Sequence, residues 1–144
     1  MNKSSGKLLY LENAFSQQLV VLFLLLNTLF TIVHINTMGV DARIGTFIML
    51  NIALSLLAFL MAVQQKLYST TWGYVGIGMG LFQLSRLLWL PQEFSQAGIR
   101  PFLQILLLLT GGLLLLASFV CIRRSRERKA YIERHNIDVV ALQN

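Results

Sequence analysis

Residues 102–122 read FLQILLLLTGGLLLLASFVCI, a run without a charged side chain, and residues 123–129 directly after it read RRSRERK. A helix rises 1.5 Å per residue, so about 20 apolar residues cross the roughly 30 Å hydrocarbon core of a membrane. The abrupt change from leucine to arginine is typical of a span that ends at the lipid headgroups. The stretch therefore predicts a transmembrane helix.

Three more apolar runs lie upstream, at residues 19–35, 44–63 and 72–90. Each is about as long as a membrane-crossing helix requires. The connections between the runs are short, and consecutive helices joined by short loops pack as antiparallel neighbours. We therefore predict an all-α integral membrane protein with four transmembrane helices in an up-down-up-down bundle. Residues 1–122 form this single domain, and residues 123–144 form a basic tail.

The composition agrees with a membrane environment. Of 144 residues, 56% are hydrophobic and 12% are charged, whereas a soluble domain carries about 25% charged residues. These values exclude a soluble enzyme and a nucleic-acid-binding domain. The single cysteine, Cys121, leaves no partner for an internal disulfide bond.

The basic residues predict the orientation. Lys3, Lys7 and Lys66 share one side of the predicted bundle with the arginines of residues 123–134, whereas Arg43 and Arg100 lie on the other side. Because basic loops stay on the cytoplasmic side, both termini are expected in the cytoplasm. We expect the first run to remain in the protein, since no signal-peptidase motif follows it. The predicted location is the plasma membrane, as a multi-pass protein of a bacterial inner membrane.

Two segments flank the predicted spans. Residues 8–18 carry apolar side chains at helical spacing and predict an interfacial helix that leads into the first span. A basic cluster follows the fourth span. It either anchors that span, which is our main expectation, or contacts anionic lipid. Its members are Arg123, Arg124, Arg126, Arg128 and Lys129.

Small and polar residues follow one line along each span, as helix contact faces in a membrane require. Gly76 and Gly80 form a GxxxG pair. We expect this pair to allow close packing within the chain, and a dimer contact is the alternative. The predicted contact residues are Asn27, Thr31, Asn51, Ser55, Gly73, Gly76, Gly80, Gln104, Gly111 and Ser118.

Arg86 is the single charged residue inside a predicted span, about one turn from its outer end. We expect its side chain to extend to the headgroups or to pair with Asp41 or Glu93, because burial at mid-depth is costly. The alternative is a polar pocket open to the outside, formed with Gln83 and His34, that recognises an anion or a lipid headgroup.

The chain carries little catalytic chemistry. No carboxylate lies inside a predicted span, which disfavours proton-coupled transport. The two histidines, His34 and His135, are predicted on opposite sides of the membrane, so we expect no metal site. No phosphate-binding loop or nucleophile motif occurs, and we expect no enzymatic activity and no cofactor.

These observations predict a small, non-enzymatic integral membrane protein. The main hypothesis is an accessory subunit of a larger membrane complex such as a transporter, which binds membrane lipids and another membrane protein subunit but no nucleic acid. A self-sufficient homo-oligomeric transporter or channel is the first alternative. A lipid-binding membrane protein is the second.

Overall fold

The computed structural model describes residues 13–37, 42–90 and 98–136. These residues form four helices: α1 (Ala14–Thr37), α2 (Ala42–Lys66), α3 (Thr70–Trp89) and α4 (Ile99–Arg134). The expected all-α fold is therefore confirmed for the described part of the chain.

Three of these helices have the length and composition of membrane spans. They are Ala14–Thr37, Ile44–Lys66 and Ile99–Arg134, and an 18-residue stretch within each has a mean hydropathy of 2.1, 2.3 and 2.7, respectively. Helix α3 is shorter, with 20 residues, and contains Gln83, Arg86 and four glycines that lower its mean hydropathy. The predicted membrane character is thus confirmed, whereas only three of the four predicted spans are long and apolar enough by themselves.

The helices extend beyond the predicted spans. Helix α1 already begins at Ala14, so residues 14–18 of the predicted interfacial segment continue the first long helix, and residues 8–12 lie outside the described residues. This first turn is attached to the end of α2, because the Asn13 backbone N–H donates to the Lys66 carbonyl at 3.2 Å. Helix α4 continues through the basic cluster to Arg134. The end of the predicted tail, residues 137–144, also lies outside the described part.

The four helices contact one another in a closed ring, in the order α1, α2, α3, α4 and back to α1. Within each contacting pair, residue numbers rise along one helix and fall along the other, so neighbours are antiparallel. We call the two ends of the bundle the His34 end and the Gln65 end. The contacts that establish the directions are Ser16–Gln65 and His34–Phe47 for α1 and α2, Asn51–Arg86 and Gln65–Trp72 for α2 and α3, Gly73–Ile122 and Gly80–Gly111 for α3 and α4, and Asn13–Arg124 and Ser16–Ala117 for α1 and α4.

Helices α3 and α4 approach most closely through glycine. A Cβ atom on Gly80 would lie 2.9 Å from the Leu115 side chain, and one on Gly111 would lie 2.6 Å from the Leu84 side chain. Real Cβ atoms do not come this close, so larger residues would force the helices apart. The glycine face of α3, which includes the GxxxG pair, is therefore used for packing inside the chain.

Substituting the glycine at this contact should destabilise the bundle. We expect Gly111→Val to lower the free energy of unfolding by about 1–3 kcal/mol through overpacking. The matched control is Gly112→Val, since a Cβ atom on Gly112 meets nothing within 4 Å. Unfolding of both variants in detergent, followed by circular dichroism, measures the difference. Equal destabilisation by the two adjacent substitutions would contradict the assigned contact.

Candidate functional site

Side chains from all four helices form one hydrogen-bonded group in the bundle interior. The Arg86 guanidinium donates through Nη1 to Asn51 Oδ1 (3.2 Å) and to Gln83 Oε1 (3.0 Å). Gln83 Nε2 in turn donates to Asn27 Oδ1 (3.1 Å) and Thr110 Oγ1 (3.0 Å). We call Asn27, Asn51, Gln83, Arg86 and Thr110 the polar cluster.

The positions of these residues follow from helical spacing. Gln83 and Arg86 are three residues apart on α3, so both lie on the face that points into the bundle. The exposed fraction is 1% for Gln83 and 5% for Arg86. Two members are also tied to their own helices: Asn51 Nδ2 donates to the Phe47 carbonyl, and Thr110 Oγ1 donates to the Leu106 carbonyl, each at 2.8 Å. Such bonds are needed because polar groups removed from water are costly when unpaired.

Two aromatic rings surround the guanidinium. The Arg86 Cζ atom lies 4.8 Å from the centroid of the Phe30 ring and 5.3 Å from that of Phe47. The His34 ring is stacked on Phe30, with centroids 5.5 Å apart, and lies 4.3 Å from Phe47. A cation over an aromatic face is stabilised most where water is excluded. The rings thus supply part of the stabilisation that a buried charge requires.

The expectation that Arg86 extends to the headgroups is wrong. Its side chain is buried and turned toward α2, because two amide oxygens and two aromatic faces offer it a site inside the bundle. Its Nη2 atom is buried without a hydrogen-bond partner among the described residues. Asp41 and Glu93, the predicted salt-bridge partners, lie outside that part of the chain.

The predicted pocket of Arg86, Gln83 and His34 was expected to open to the outside, whereas the structure places these residues inside the bundle. The structure brings the three residues together around Phe30 and Phe47. All three are buried, with His34 only 4% exposed. They therefore belong to the bundle interior rather than to a pocket open to solvent.

The other predicted contact residues fall into two groups. Seven are buried between helices, whereas Thr31, Ser55 and Gln104 are half-buried. Thr110 was not predicted, although it is a lone polar residue within a leucine run, which is a usable signal. Phe30 and Phe47 carried no such signal, since aromatic residues are common in apolar runs. The buried seven are Asn27, Asn51, Gly73, Gly76, Gly80, Gly111 and Ser118.

A second set of polar contacts lies at the Gln65 end. The Ser16 hydroxyl donates to the Ala117 carbonyl at 2.9 Å and also contacts Gln65 Oε1. Ser125 Oγ donates to the Tyr68 carbonyl at 2.8 Å, which ties α4 to the turn between α2 and α3. Between this set and the polar cluster lies a buried apolar layer. Its members are Val20, Phe23, Leu54, Ala58, Met61, Ala62, Met79, Leu114 and Ala117.

A groove of about 460 Å³ runs along the outer surface between α1 and α2. Its walls include Ile32, Ile52, Leu56 and Phe59, each at least half exposed. Four polar residues also line it, and Asn51 connects it to the polar cluster. The polar residues of the groove are Thr28, Thr31, Asn51 and Ser55.

The residues of the basic cluster lie on successive turns of α4, between positions 123 and 129. Arg126 Nη2 donates to the Tyr74 hydroxyl at 3.2 Å, and the Arg128 guanidinium lies over the Tyr68 ring. Arg123 pairs with Glu127 at 2.9 Å, Arg124 donates to Asn13, and Lys129 is exposed.

Residues 13–37, 42–90 and 98–136 hold no group of three histidine, cysteine or acidic side chains arranged for a metal ion.

The contacts of the polar cluster predict that substitutions of Asn51 and Arg86 have non-additive effects on the free energy of unfolding. Asn51→Leu removes one of the two acceptors of Arg86 Nη1 while the charge stays buried, so we expect a loss of about 1.5–3 kcal/mol in the free energy of unfolding. Arg86→Met removes the charge itself and should cost less. In the double variant, Arg86→Met should relieve most of the Asn51→Leu defect. Additive effects in this double-mutant cycle, measured by reversible unfolding in detergent micelles, would contradict the assigned interaction.

Comparisons with family models, with curated proteins and with solved structures found no match to this chain. The function of the chain is therefore inferred from its own residues and their geometry. The features to be explained are the polar cluster, the groove between α1 and α2, and the basic cluster at the Gln65 end.

Proposed function

We propose that the chain crosses the membrane four times and serves as a non-catalytic accessory subunit of a larger membrane assembly. In this proposal, the groove between α1 and α2 receives a transmembrane helix of a different polypeptide. The groove, which combines apolar walls with polar residues at the depth of the lipid tails, is the observation that carries the proposal.

The packing of α3 supports a fourth span. Its 20 residues correspond to about 30 Å of helix, the thickness of the hydrocarbon core. Its two most polar side chains, Gln83 and Arg86, are buried and bonded to other helices. Mean hydropathy counts these residues against membrane insertion, although they do not face lipid. Outward-facing side chains of α3 include Leu81 and Leu88, which are 57% and 84% exposed.

The groove lies near the middle of the predicted bilayer. Thr28 falls at the centre of the first apolar run, residues 19–35, and Ser55 falls near the centre of the second, residues 44–63. The Thr28 and Thr31 hydroxyls donate to the Leu24 and Asn27 carbonyls of their own helix, at 2.9 and 2.7 Å, and each oxygen can still accept a hydrogen bond from another helix. Small residues also allow close approach of such a helix, whereas lipid tails donate no hydrogen bonds. A partner helix with a polar side chain therefore fits this surface better than lipid does.

The homo-oligomeric carrier receives less support. The glycine face that would form its subunit contact packs against α4 within the chain. Across the described bundle, the apolar layer around Phe23 and Met61 separates the polar cluster from the polar contacts at the Gln65 end. A polar path for a solute would have to cross that layer.

The proposal also places both termini in the cytoplasm, as the positive-inside rule favours. It places the chain in a bacterial inner membrane.

Photo-crosslinking and native mass spectrometry test the proposed subunit role. A photoreactive phenylalanine at position 28 should crosslink one defined polypeptide, and the same residue at position 25 should not, because Leu25 is 64% exposed and does not line the groove. Native mass spectrometry of the chain extracted with lipid at native abundance should show an equimolar complex.

Thr28→Trp, which fills the groove, should reduce recovery of that complex about tenfold, a loss of about 1.4 kcal/mol in binding. Leu25→Trp is the matched control and should retain the partner. A purely homomeric or monomeric mass in native lipid would overturn the proposal, as would equal loss of the partner in the two tryptophan variants.

A further inference from the structure

A second recess lies at the Gln65 end, on the outer surface between α1 and α4. It has a volume of about 300 Å³ and is lined by Phe15, Phe119, Val120, Arg123, Arg124 and Glu127. We call it the interfacial notch. Its lining divides into an apolar part, formed by the first three residues, and a charged part, formed by the last three.

The position of the notch along α4 matches a membrane surface. Residues 102–122 are free of charge, and Arg123 and Arg124 are the first charged residues after them. In a helix that crosses the membrane, this boundary lies where lipid tails meet headgroups. The apolar part of the notch therefore faces lipid tails, and the charged part faces headgroups.

Arg124 is held in a fixed position in the notch. Its Nη1 donates to Asn13 Oδ1 at 3.1 Å, and its Cζ atom lies 5.7 Å from the centroid of the Phe15 ring. A guanidinium has five N–H groups, so the bond to Asn13 leaves others to donate to a ligand. Because the side chain is already ordered, a bound anion would lose little free energy in immobilising it.

Arg123 forms the more exposed side of the notch. Its Nε donates to Glu127 Oε1 at 2.9 Å, and its side chain is 72% exposed. This bond directs the side chain along α4 and leaves its terminal amino groups outside the pair with Glu127. Two arginines and one glutamate give the notch a net positive charge of one, which complements the single negative charge of a phosphodiester.

We propose that the interfacial notch binds one anionic phospholipid. The phosphate accepts hydrogen bonds from Arg123 and Arg124, and one acyl chain packs against Phe15, Phe119 and Val120. The apolar part of the notch selects a lipid over a free phosphate, and the arginine pair selects an anionic headgroup over a zwitterionic one. The proposal depends on α4 crossing the membrane and is independent of any protein partner.

The proposal distinguishes this site from general attraction by the basic cluster. Arg126 is bonded to the Tyr74 hydroxyl, and Arg128 lies over the Tyr68 ring, so the guanidinium of each is directed to another contact. Neither lines the notch. Loss of a charge at those positions should therefore matter far less than loss of the same charge at Arg124.

Lipid titration by native mass spectrometry tests the site on the full chain in detergent. Phosphatidylglycerol should bind as one tight molecule, about tenfold more strongly than phosphatidylcholine. Arg124→Gln and Arg123→Gln should each weaken phosphatidylglycerol binding about five- to tenfold, in line with the effect of one basic residue at a membrane surface. Arg126→Gln, which removes the same charge outside the notch, should weaken phosphatidylglycerol binding much less than either of these two substitutions.

A further variant is needed because Arg124→Gln also removes the hydrogen bond to Asn13, so it changes the fold at this end as well as the notch. Val120→Trp fills the apolar part without changing charge and should weaken lipid binding while circular dichroism shows native helix content. Equal effects of the three arginine variants would overturn the proposal in favour of diffuse attraction. Competition by millimolar glycerol phosphate would overturn it in favour of a free phosphate ligand, and retained binding in Val120→Trp would overturn the assigned acyl-chain contact.

Discussion

The arrangement of the bundle depends on the burial of one cation, the Arg86 guanidinium. A charge in a medium of low dielectric constant is tolerated only where other groups compensate for the lost water. Here Asn51, Gln83 and the faces of two phenylalanine rings provide that compensation. Gln83 extends the hydrogen bonds to α1 and α4. Satisfying this one group therefore fixes the rotation of all four helices about their axes.

Close packing and hydrogen bonding reinforce each other between α3 and α4. Thr110, which accepts a hydrogen bond from Gln83 at 3.0 Å, is adjacent to Gly111, which lies against Gly80. The small residues bring the two backbones close enough for side chains to bond across the interface, as is common among membrane helices. At the Gln65 end, α4 holds the turn after α2 through Ser125 and Tyr68. Helix α4 is thus bonded to the other helices both near its middle and at the Gln65 end.

Sequence patterns predicted the helices and their contact faces better than the fate of individual polar residues. The lengths of the apolar runs and the short loops between them were sufficient to predict four helices. The helical spacing of the polar residues in each run identified Asn27 and Asn51 as interior residues. The position of Arg86, about one turn from the end of its run, favoured an extended side chain. That reasoning could not include Phe30 and Phe47, which become neighbours of Arg86 only after folding. Mean hydropathy of α3 has the same weakness, because an average does not record which face is buried.

The most direct test of four spans is the position of the two ends of α3 relative to the membrane. In a Cys121→Ser background, single cysteines at Leu67 and Ser95, on either side of α3, are treated with a membrane-impermeant maleimide. The account predicts labelling at position 95 in intact cells, and at position 67 only after permeabilisation. Labelling of both positions, or of neither, in intact cells would place the two ends on one side of the membrane and contradict the four-span bundle.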